Sequence, residues 1–349
     1  MTLIISILNG ILPVTFYVLV GYFLAHANVF PRDKYQVLLT LTFNVFFPIS
    51  TVYSLGRKEI LSEDFLIIIS YYAASLSTML ICGLITPILF KQKRRFGFAL
   101  SCSCTMMQNL IVTGLPIAQG FYDPAEAEKY AFITMFAQLT STIPICFFLF
   151  EYAKLREQSE PSFKIVCQIV LKSIWNTLKN PMINSIFLAL IYNVVKSKYV
   201  PQLAQLPTYI EPFFNSCRAL VSVFGVVSIG VFSQNEVHKI IIKVSKPDNK
   251  TNSGLNMIVF LVIRHVIFPV IQIGFMKLFD LPEQITKVNS AFSTCNTALQ
   301  AFGLADAYEF EPTVAGMMVL IGMIVEVGAT PLLGMLTSVI YTRKTALDE

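Results

Sequence analysis

Ten long apolar stretches follow one another along this chain of 349 residues. A helix needs roughly 20 mostly apolar residues to cross a bilayer, and each stretch is long enough. The ten predicted spans are residues 3–26, 35–56, 65–90, 97–121, 129–152, 178–196, 208–234, 255–278, 285–305 and 312–341. The sequence therefore predicts an all-α polytopic membrane protein with ten transmembrane helices.

The composition agrees with this prediction. Hydrophobic residues make up 55% of the chain and charged residues 13%, whereas a soluble domain carries about 25% charged residues. Because little chain lies outside the spans, there is no room for a soluble catalytic domain. The first span lacks the charged leader and cleavage site of a signal peptide, so we expect it to stay as an anchor.

The fourth and ninth spans are interrupted near their middle. The first interruption runs from Gln108 to Pro116 and the second from Cys295 to Gly303. Pro116 follows Gly114 closely, and proline lacks an amide donor, so we expect the fourth helix to kink or stop there. Irregular backbone at membrane depth must be buried in protein or line a wet cavity. Two interrupted spans in matching positions of two halves indicate the binding site of a transporter.

The interrupted spans supply groups that can bind an anion. A helix that stops leaves amide groups at its amino end, where partial positive charge favours a carboxylate. Asparagines beside each interruption can donate and accept hydrogen bonds. The predicted substrate-binding residues are Asn109, Asn296, Gly114, Pro116, Asn44 and Gln300. The alternative is a proline kink packed by neighbouring helices, with the asparagines bonding across helices.

Ionisable residues inside the spans are the second candidate group. Glu326 lies within span ten, Arg264 and His265 near the middle of span eight, and Arg218 near the middle of span seven. Such groups are costly at that depth, tend to pair, and mark ion or proton paths. We predict either a Glu326–Arg264 pair or a proton-binding Glu326 whose pKa is raised by desolvation. Gln138 is a further coupling candidate; the alternative is a static ion pair.

The two halves of the chain repeat the same plan. Gln138 precedes Pro144 in span five, much as Glu326 precedes Pro331 in span ten. Spans four and nine each end in a tyrosine followed by an acidic turn that contains proline. Five spans per half is an odd number, so the second half enters the membrane from the opposite side. The prediction is two inverted five-helix repeats, residues 1–152 and 178–349.

Residues 153–177 join the two repeats. Lys164, Gln168, Lys172 and Asn176 recur every four residues among apolar neighbours. This pattern predicts a helix with a narrow polar stripe that lies in the membrane interface on the cytosolic side. The alternative is a mobile linker that regulates partners.

The basic residues predict the orientation. Fifteen of the 26 Lys and Arg residues fall on one side of the ten spans and nine on the other. The positive-inside rule places the larger group in the cytosol and both termini outside. The run from Lys91 to Arg95 is the strongest contributor, and we interpret it as a topology anchor rather than a nucleic-acid or lipid-specific site. A sugar on Asn249, which lies in a predicted cytosolic loop, would contradict this orientation.

Several kinds of chemistry are not indicated. Six of the seven cysteines lie in predicted spans, so neither a disulfide framework nor a zinc site is expected. No phosphate-binding loop, metal-ligand cluster or nucleophile with its base is recognisable, which argues against an enzyme and a nucleotide-driven pump. We expect no catalytic residue, metal or cofactor. The expected partners are a small organic anion, the lipid bilayer and a second copy of the chain in a homodimer, without nucleic acid.

Four short stretches resemble the auxin efflux carrier family, which includes plant PIN carriers and bacterial organic-acid permeases. They are residues 43–48, 109–116, 180–181 and 296–305. The resemblance covers nearly the whole chain, although the second crossover lacks the proline that family members usually have.

The resemblance implies a fold and a site. The fold has ten helices in two repeats, with crossed, broken helices four and nine, termini outside and a cytosolic hub. The activity is transport of small organic anions. The crossover asparagine of each repeat faces the substrate, a role that falls here on Asn109 and Asn296.

The sequence as a whole predicts a secondary transporter, of the efflux carrier type, that moves small organic anions such as carboxylates by alternating access. Coupling to protons through Glu326 and transport driven by membrane potential alone both stay open. Alternatives are a sodium-coupled symporter resembling the bile-acid carriers and a non-transporting sensor or receptor with the same fold. The plasma membrane is favoured over an internal membrane.

Overall fold

A computed structural model describes residues 2–31, 34–58, 60, 62–158, 160, 162–198, 210–244 and 253–348. Within those residues the secondary structure is helical, and no β-strand is present. The helices are α1 Thr2–His26, α2 Tyr35–Leu41, α3 Phe47–Arg57, α4 Ser62–Leu89, α5 Arg94–Met106, α6 Leu115–Phe121, α7 Pro124–Thr140, α8 Thr142–Gln158, α9 Phe163–Leu178, α10 Pro181–Lys198, α11 Glu211–Val244, α12 Ser253–Val262, α13 Phe268–Leu278, α14 Glu283–Ser293, α15 Leu299–Ala307 and α16 Pro312–Asp348.

Seven helical segments of the described chain are long and apolar enough to cross a membrane. An eighth is obtained if α9 and α10, which meet at a bend of 59°, count as one span. Two of the ten predicted spans fail this criterion because their helices are interrupted: α5, α14 and α15 have only 13, 11 and 9 residues. The all-helical, multi-span prediction is thus confirmed, while the number of ten remains a prediction.

In the part of the chain that the structure describes, three π-helical turns are each followed by a proline. The π-helices Thr42–Phe46, Leu110–Gly114 and Ile263–Ile267 each end two residues before a proline, at the start of α3, α6 and α13. Proline donates no hydrogen bond to the preceding turn and crowds its carbonyl. A π-turn gives that carbonyl more room, and such turns are frequent at functional sites.

The chain divides into two compact units. Unit 1 comprises Met1–Asp64, Ile111–Phe136 and Leu178–Pro247, and unit 2 comprises Phe65–Leu110, Ala137–Thr177 and Asp248–Glu349. Each unit takes segments from both predicted repeats. Repeats and compact units are therefore different divisions of the chain, and the repeat boundaries remain a prediction.

Unit 1 is built on a close approach of α1 and α11. A Cβ atom added to Gly21 would lie 2.1 Å from the carbonyl oxygen of Val227, and one added to Gly230 would lie 2.1 Å from that of Val18. Glycines let membrane helices approach to backbone contact, where van der Waals packing drives their association. Gly10 plays the same part where α1 meets α6, since its Cβ would lie 2.8 Å from Ile117 O.

Unit 2 packs aromatic side chains between its helices. Tyr71 of α4 and Phe268 of α13 are fully buried with Ala74 and Ala137, and the two rings meet edge to face at 6.0 Å. A second group of stacked or tilted rings lies at the other end of α5; its members are Phe90, Phe96, Phe150, Tyr308 and Phe310. These contacts hold α4, α5 and α8 in place around the interrupted helices.

The linker between the predicted repeats is partly helical. Its first residues continue α8 to Gln158, and α9 follows as a separate helix without a buried residue. Phe163 and Trp175 of α9 are 84% and 57% exposed, as a helix in a membrane interface requires. The position of α9 relative to a membrane, and the predicted cytosolic side, remain predictions. The loop with Asn249 lies outside the described residues.

The interruptions themselves differ in detail from the expectation. The fourth helix was expected to kink or stop at Pro116, but it stops earlier, after Met106, and Pro116 occupies the first turn of α6 directly after a π-helix. Proline is accommodated there because the preceding π-helix, Leu110–Gly114, gives the carbonyl of the previous turn more room. The second interruption likewise ends before α15, and Gly303 lies inside that helix.

Candidate functional site

The two interrupted helices meet backbone to backbone in unit 2. Asn109 N donates to Asn296 O and Ala298 N donates to Met107 O, both at 3.0 Å. Gln108 and Thr297 form the antiparallel bridge between these two bonds. The chain segments that leave α5 and α14 thereby satisfy each other's backbone groups, as buried backbone requires. We call this pairing of residues 107–109 with residues 296–298 the crossing.

Gln138 of α7 binds the first segment of the crossing, residues 107–109. Its Nε2 donates to Gln108 O at 2.9 Å, and its Oε1 accepts from Gln108 N at 2.7 Å. The hydroxyl of Tyr71 lies 3.1 Å from Met106 O and 3.2 Å from Gln138 Oε1, and its single proton can be donated to either acceptor. A side-chain amide can bond one N–H and one C=O at once, so Gln138 fixes both groups of a single residue.

Glu326 of α16 binds the second segment of the crossing, residues 296–298. Its Oε2 accepts from Asn296 N at 3.1 Å, and the carboxylate is fully buried. The side chain of Asn296 is fixed as well, because its Nδ2 donates to Val319 O at 3.1 Å. Glu326 and Gln138 therefore each bind a backbone amide of the crossing, Asn296 N and Gln108 N.

Arg264 donates hydrogen bonds to backbone carbonyls beside the crossing, which the carboxylate of Glu326 cannot do. Its Nε and Nη2 donate to Cys295 O at 2.8 and 2.5 Å, and its Nη1 donates to Thr105 O at 3.3 Å. These carbonyls lie where α14 and α5 end, and the carboxyl end of a helix carries partial negative charge. The fully buried guanidinium is thus stabilised by two helix ends at once.

Arg264 and Glu326 act on one peptide unit. Arg264 binds the carbonyl of Cys295, and Glu326 binds the amide of Asn296, which belongs to the same peptide bond. In a trans peptide these two groups point in opposite directions. The two charged groups predicted to pair therefore hold the second interruption from opposite sides.

His265 lies beside this cluster and was noted in the sequence without a role. Its Nδ1 is 3.0 Å from Thr294 O, so the neutral ring carries its proton on Nδ1. Within the described residues its Nε2 has no hydrogen-bond partner. A Cβ on Gly322 would lie 3.4 Å from that nitrogen, so glycine at this position makes room for the ring.

The structure groups some of the predicted site residues and not others. Five of them meet at the crossing in unit 2: Asn109, Asn296, Gln138, Arg264 and Glu326. Gln300, also in unit 2, is half-buried in the first turn of α15.

Three predicted residues belong to unit 1. Gly114 is buried at the end of its π-helix, and Pro116 is half-buried in α6. Asn44 is exposed within the π-helix Thr42–Phe46. That exposure does not favour the predicted role of Asn44 in substrate binding.

Unit 1 contains a polar cavity of about 820 Å³ that sequence reasoning did not anticipate. At one wall Arg218 donates to Glu128 at 3.2 Å, and the same carboxylate accepts from Ser54 at 2.7 Å. At another wall Glu211 accepts from Arg57 at 3.0 Å and from Tyr53 at 2.9 Å.

The cavity carries an excess of positive charge. Three cations, Arg57, Lys58 and Arg218, face two carboxylates, Glu128 and Glu211. The side chain of Arg218 remains 45% exposed although it is paired. A cavity of this size with one cation in excess suits a small anion. Its ion pairs join residues 90 and 154 positions apart, so local sequence patterns could not reveal them.

A known protein family matches most of the chain. The model of a family described as membrane transport protein, of the auxin efflux carrier type, matches residues 6–333. A search of curated proteins finds no match. The predicted family resemblance is confirmed, and the family is one of transporters rather than enzymes.

Proposed function

Since the chain belongs to this family of membrane transport proteins, we propose that it is a secondary transporter that moves small organic anions such as carboxylates by alternating access. It is an integral, multi-pass membrane protein. The observation that carries the proposal is the crossing, where two interrupted helices meet in the buried interior of unit 2. Interrupted helices of this kind form the substrate sites of many secondary transporters.

The proposed site lies at the amino end of the second half-helix. The N-cap of α15, Ala298, makes no side-chain hydrogen bond to the helix, so a substrate oxygen can serve as an acceptor there. Asn109, Asn296 and Gln300 are the proposed side-chain contacts. The cationic excess of the unit 1 cavity independently supports an anionic substrate.

The proposed architecture has ten spans in two inverted repeats. Supporting it, Tyr71 and Arg264 bind carbonyls at the ends of α5 and α14, while Gln138 and Glu326 bind the amides that follow. Tyr71 and Arg264 come from predicted spans three and eight, and Gln138 and Glu326 from predicted spans five and ten. A scaffold and a moving unit, both termini outside the cytosol and residence in the plasma membrane belong to the same proposal.

Two driving forces are compatible with this site. Protonation of Glu326 would change the charge next to the Asn296 amide and so couple transport to pH. Without such coupling, one negative charge moved outward through 100 mV releases about 2.3 kcal/mol, which suffices to drive export.

The test is uptake of radiolabelled carboxylates into liposomes that contain the purified protein. We expect flux that falls at least tenfold in Asn109→Ala, whereas Asn176→Ala, the same change at an exposed position of α9, retains it. Binding without flux under any gradient would favour a receptor. Flux that requires sodium would favour a symporter of the bile-acid carrier type, and neither binding nor flux would reject carboxylates as substrates.

A further inference from the structure

An apolar groove of about 400 Å³ opens in unit 2 at the junction of α4, α5 and α8. Its walls are formed by Gly83 and Pro87 of α4, Phe98 of α5, and Phe148 and Leu149 of α8. This groove is separate from the crossing and takes no part in the proposed transport site.

Glycine at position 83 keeps the groove open. A Cβ at this position would meet only the ring of Phe98, at an ordinary contact distance of 3.7 Å. The glycine is therefore not demanded by tight packing. Next to it, Leu80, Leu84 and Ile88 form a stripe along α4 that is 69–76% exposed. The groove thus continues an apolar surface of the kind that lipid chains cover.

Two arginines stand at one end of the groove. Arg94 and Arg95 line it and are exposed, and their side chains form no ion pair or hydrogen bond with another described residue. Two other cations nearby are paired: Lys93 contacts Glu157 at 3.5 Å, and Arg156 contacts Glu160. The two guanidinium groups are therefore available for an anion from outside the chain.

The helix that carries these arginines adds to the attraction for an anion. Arg94 and Arg95 form the first turn of α5, which contains no acidic residue. Cations in a first turn oppose the helix dipole, so a bound anion would compensate both the side chains and the helix end.

A tight turn fixes the position of this helix end. Lys93 has a left-handed backbone with φ of 52°, and a Cβ on Gly97 would lie 2.4 Å from the ring of Phe90. The connection from α4 is thus folded closely against α5. Both arginines are held at the mouth of the groove by backbone that has little freedom to move.

The sequence alone favoured a topology anchor over a lipid-specific site for the run from Lys91 to Arg95, but the groove beside Arg94 and Arg95 changes that interpretation. We propose that this groove binds an anionic phospholipid, with an acyl chain against Gly83, Phe98 and Phe148 and the phosphate between Arg94 and Arg95. Guanidinium groups bind phosphate through paired hydrogen bonds. The apolar walls select a lipid over a free anion. The predicted cytosolic location of this helix end agrees, because anionic lipids are concentrated in the cytoplasmic leaflet.

The first experiment measures binding of phosphatidylglycerol and phosphatidylcholine to the full-length protein in detergent by native mass spectrometry. We expect preferential retention of phosphatidylglycerol, and at least a tenfold loss of its affinity in the double variant Arg94→Gln/Arg95→Gln. The matched control, Lys91→Gln/Lys93→Gln, removes the same charge from the same run without touching the groove. An equal loss in both double variants would show diffuse surface attraction and overturn the proposal.

A second experiment separates lipid from free anion. Gly83→Leu fills the groove and is expected to abolish retention of phosphatidylglycerol while the melting temperature is maintained. Gly274→Leu, at an exposed glycine of α13 with open space around it, is the control and should retain the lipid. Unchanged lipid binding in Gly83→Leu, or equal affinity for soluble glycerol phosphate, would exclude the groove as a lipid site.

Discussion

Arg264 shows how a single buried cation can be structural in the interior of a membrane protein. Its guanidinium bonds the carbonyls of Thr105 and Cys295, so it closes the ends of two helices that would otherwise expose unsatisfied groups. The fixed fork of donors in arginine is suited to several acceptors, whereas lysine offers a compact point charge. Intramembrane charge at this position is thus explained by backbone geometry as well as by any ion path.

Replacing Arg264 tests this assignment. Arg264→Met leaves two buried carbonyls without a donor, at about 1–3 kcal/mol each, and is expected to lower the melting temperature strongly. Arg264→Lys keeps the charge but reaches fewer acceptors. Its melting temperature should therefore lie between those of Arg264→Met and the natural protein. Thermal unfolding in detergent measures both variants. Equal stability of Arg264→Lys and the natural protein would contradict a role in closing two helix ends.

The substitution Glu326→Gln keeps a hydrogen-bond acceptor on the side chain but removes its negative charge. In Glu326→Gln the side-chain carbonyl can still accept from Asn296 N, which is 3.1 Å from the natural carboxylate. If Glu326 carries the coupling proton, the variant should fold normally and transport without dependence on a pH gradient. Uptake into liposomes between about pH 5.5 and pH 8 measures this, and an unchanged pH dependence would remove Glu326 from the coupling mechanism.

The helices of unit 1 depend on small residues for their closest contact. α1 and α11 approach until Gly21 and Gly230 leave no room for a side chain, and the surrounding surface is apolar on both helices. Helix association in lipid has no hydrophobic contribution between the helices, so the close backbone fit carries a large share of the packing. The α1–α11 pair is therefore sensitive to a single added methyl group.

Gly21→Ala tests this element. Its Cβ would lie 2.1 Å from Val227 O, a backbone atom that can move only with its helix, so α1 and α11 must separate. We expect a loss of about 1–3 kcal/mol and a lower melting temperature. Gly328→Ala is the control, because no atom lies within 4 Å of its added Cβ. Equal behaviour of the two variants would show that the close approach does not govern stability.

For the whole molecule, the pattern of basic residues predicts the orientation in the membrane, whereas the positions of the helices do not determine it. In a background without Cys167, the one cysteine that is not buried, single cysteines can report sides. Gln92→Cys should react with an impermeant maleimide only from the cytosolic side, and Lys277→Cys only from outside. Both positions are exposed. The reverse pattern would invert the predicted topology.

The parts of the site that could be predicted from sequence are those with local signals. Glycine, proline and asparagine marked both interruptions, and isolated charge in apolar context marked Arg264 and Glu326. The sequence around Gln108 and Tyr71 gave no such indication. Both take part in hydrogen bonds to backbone groups, which many residue types can form. The expected stop at Pro116 is absent, because the π-turn before it accommodates the ring within continuous helical backbone. The cavity in unit 1 was missed because its ion pairs join distant segments.

The crossing has a consequence for how proteins of this kind diversify. Its two segments are joined by main-chain atoms. The bond between Asn109 and Asn296 and the bond between Ala298 and Met107 both run from a backbone amide to a backbone carbonyl. Residues at the crossing can therefore be exchanged during evolution without loss of the pairing itself. New specificities can arise one substitution at a time, while Gln138, Arg264 and Glu326, which grip the main chain, stay constrained.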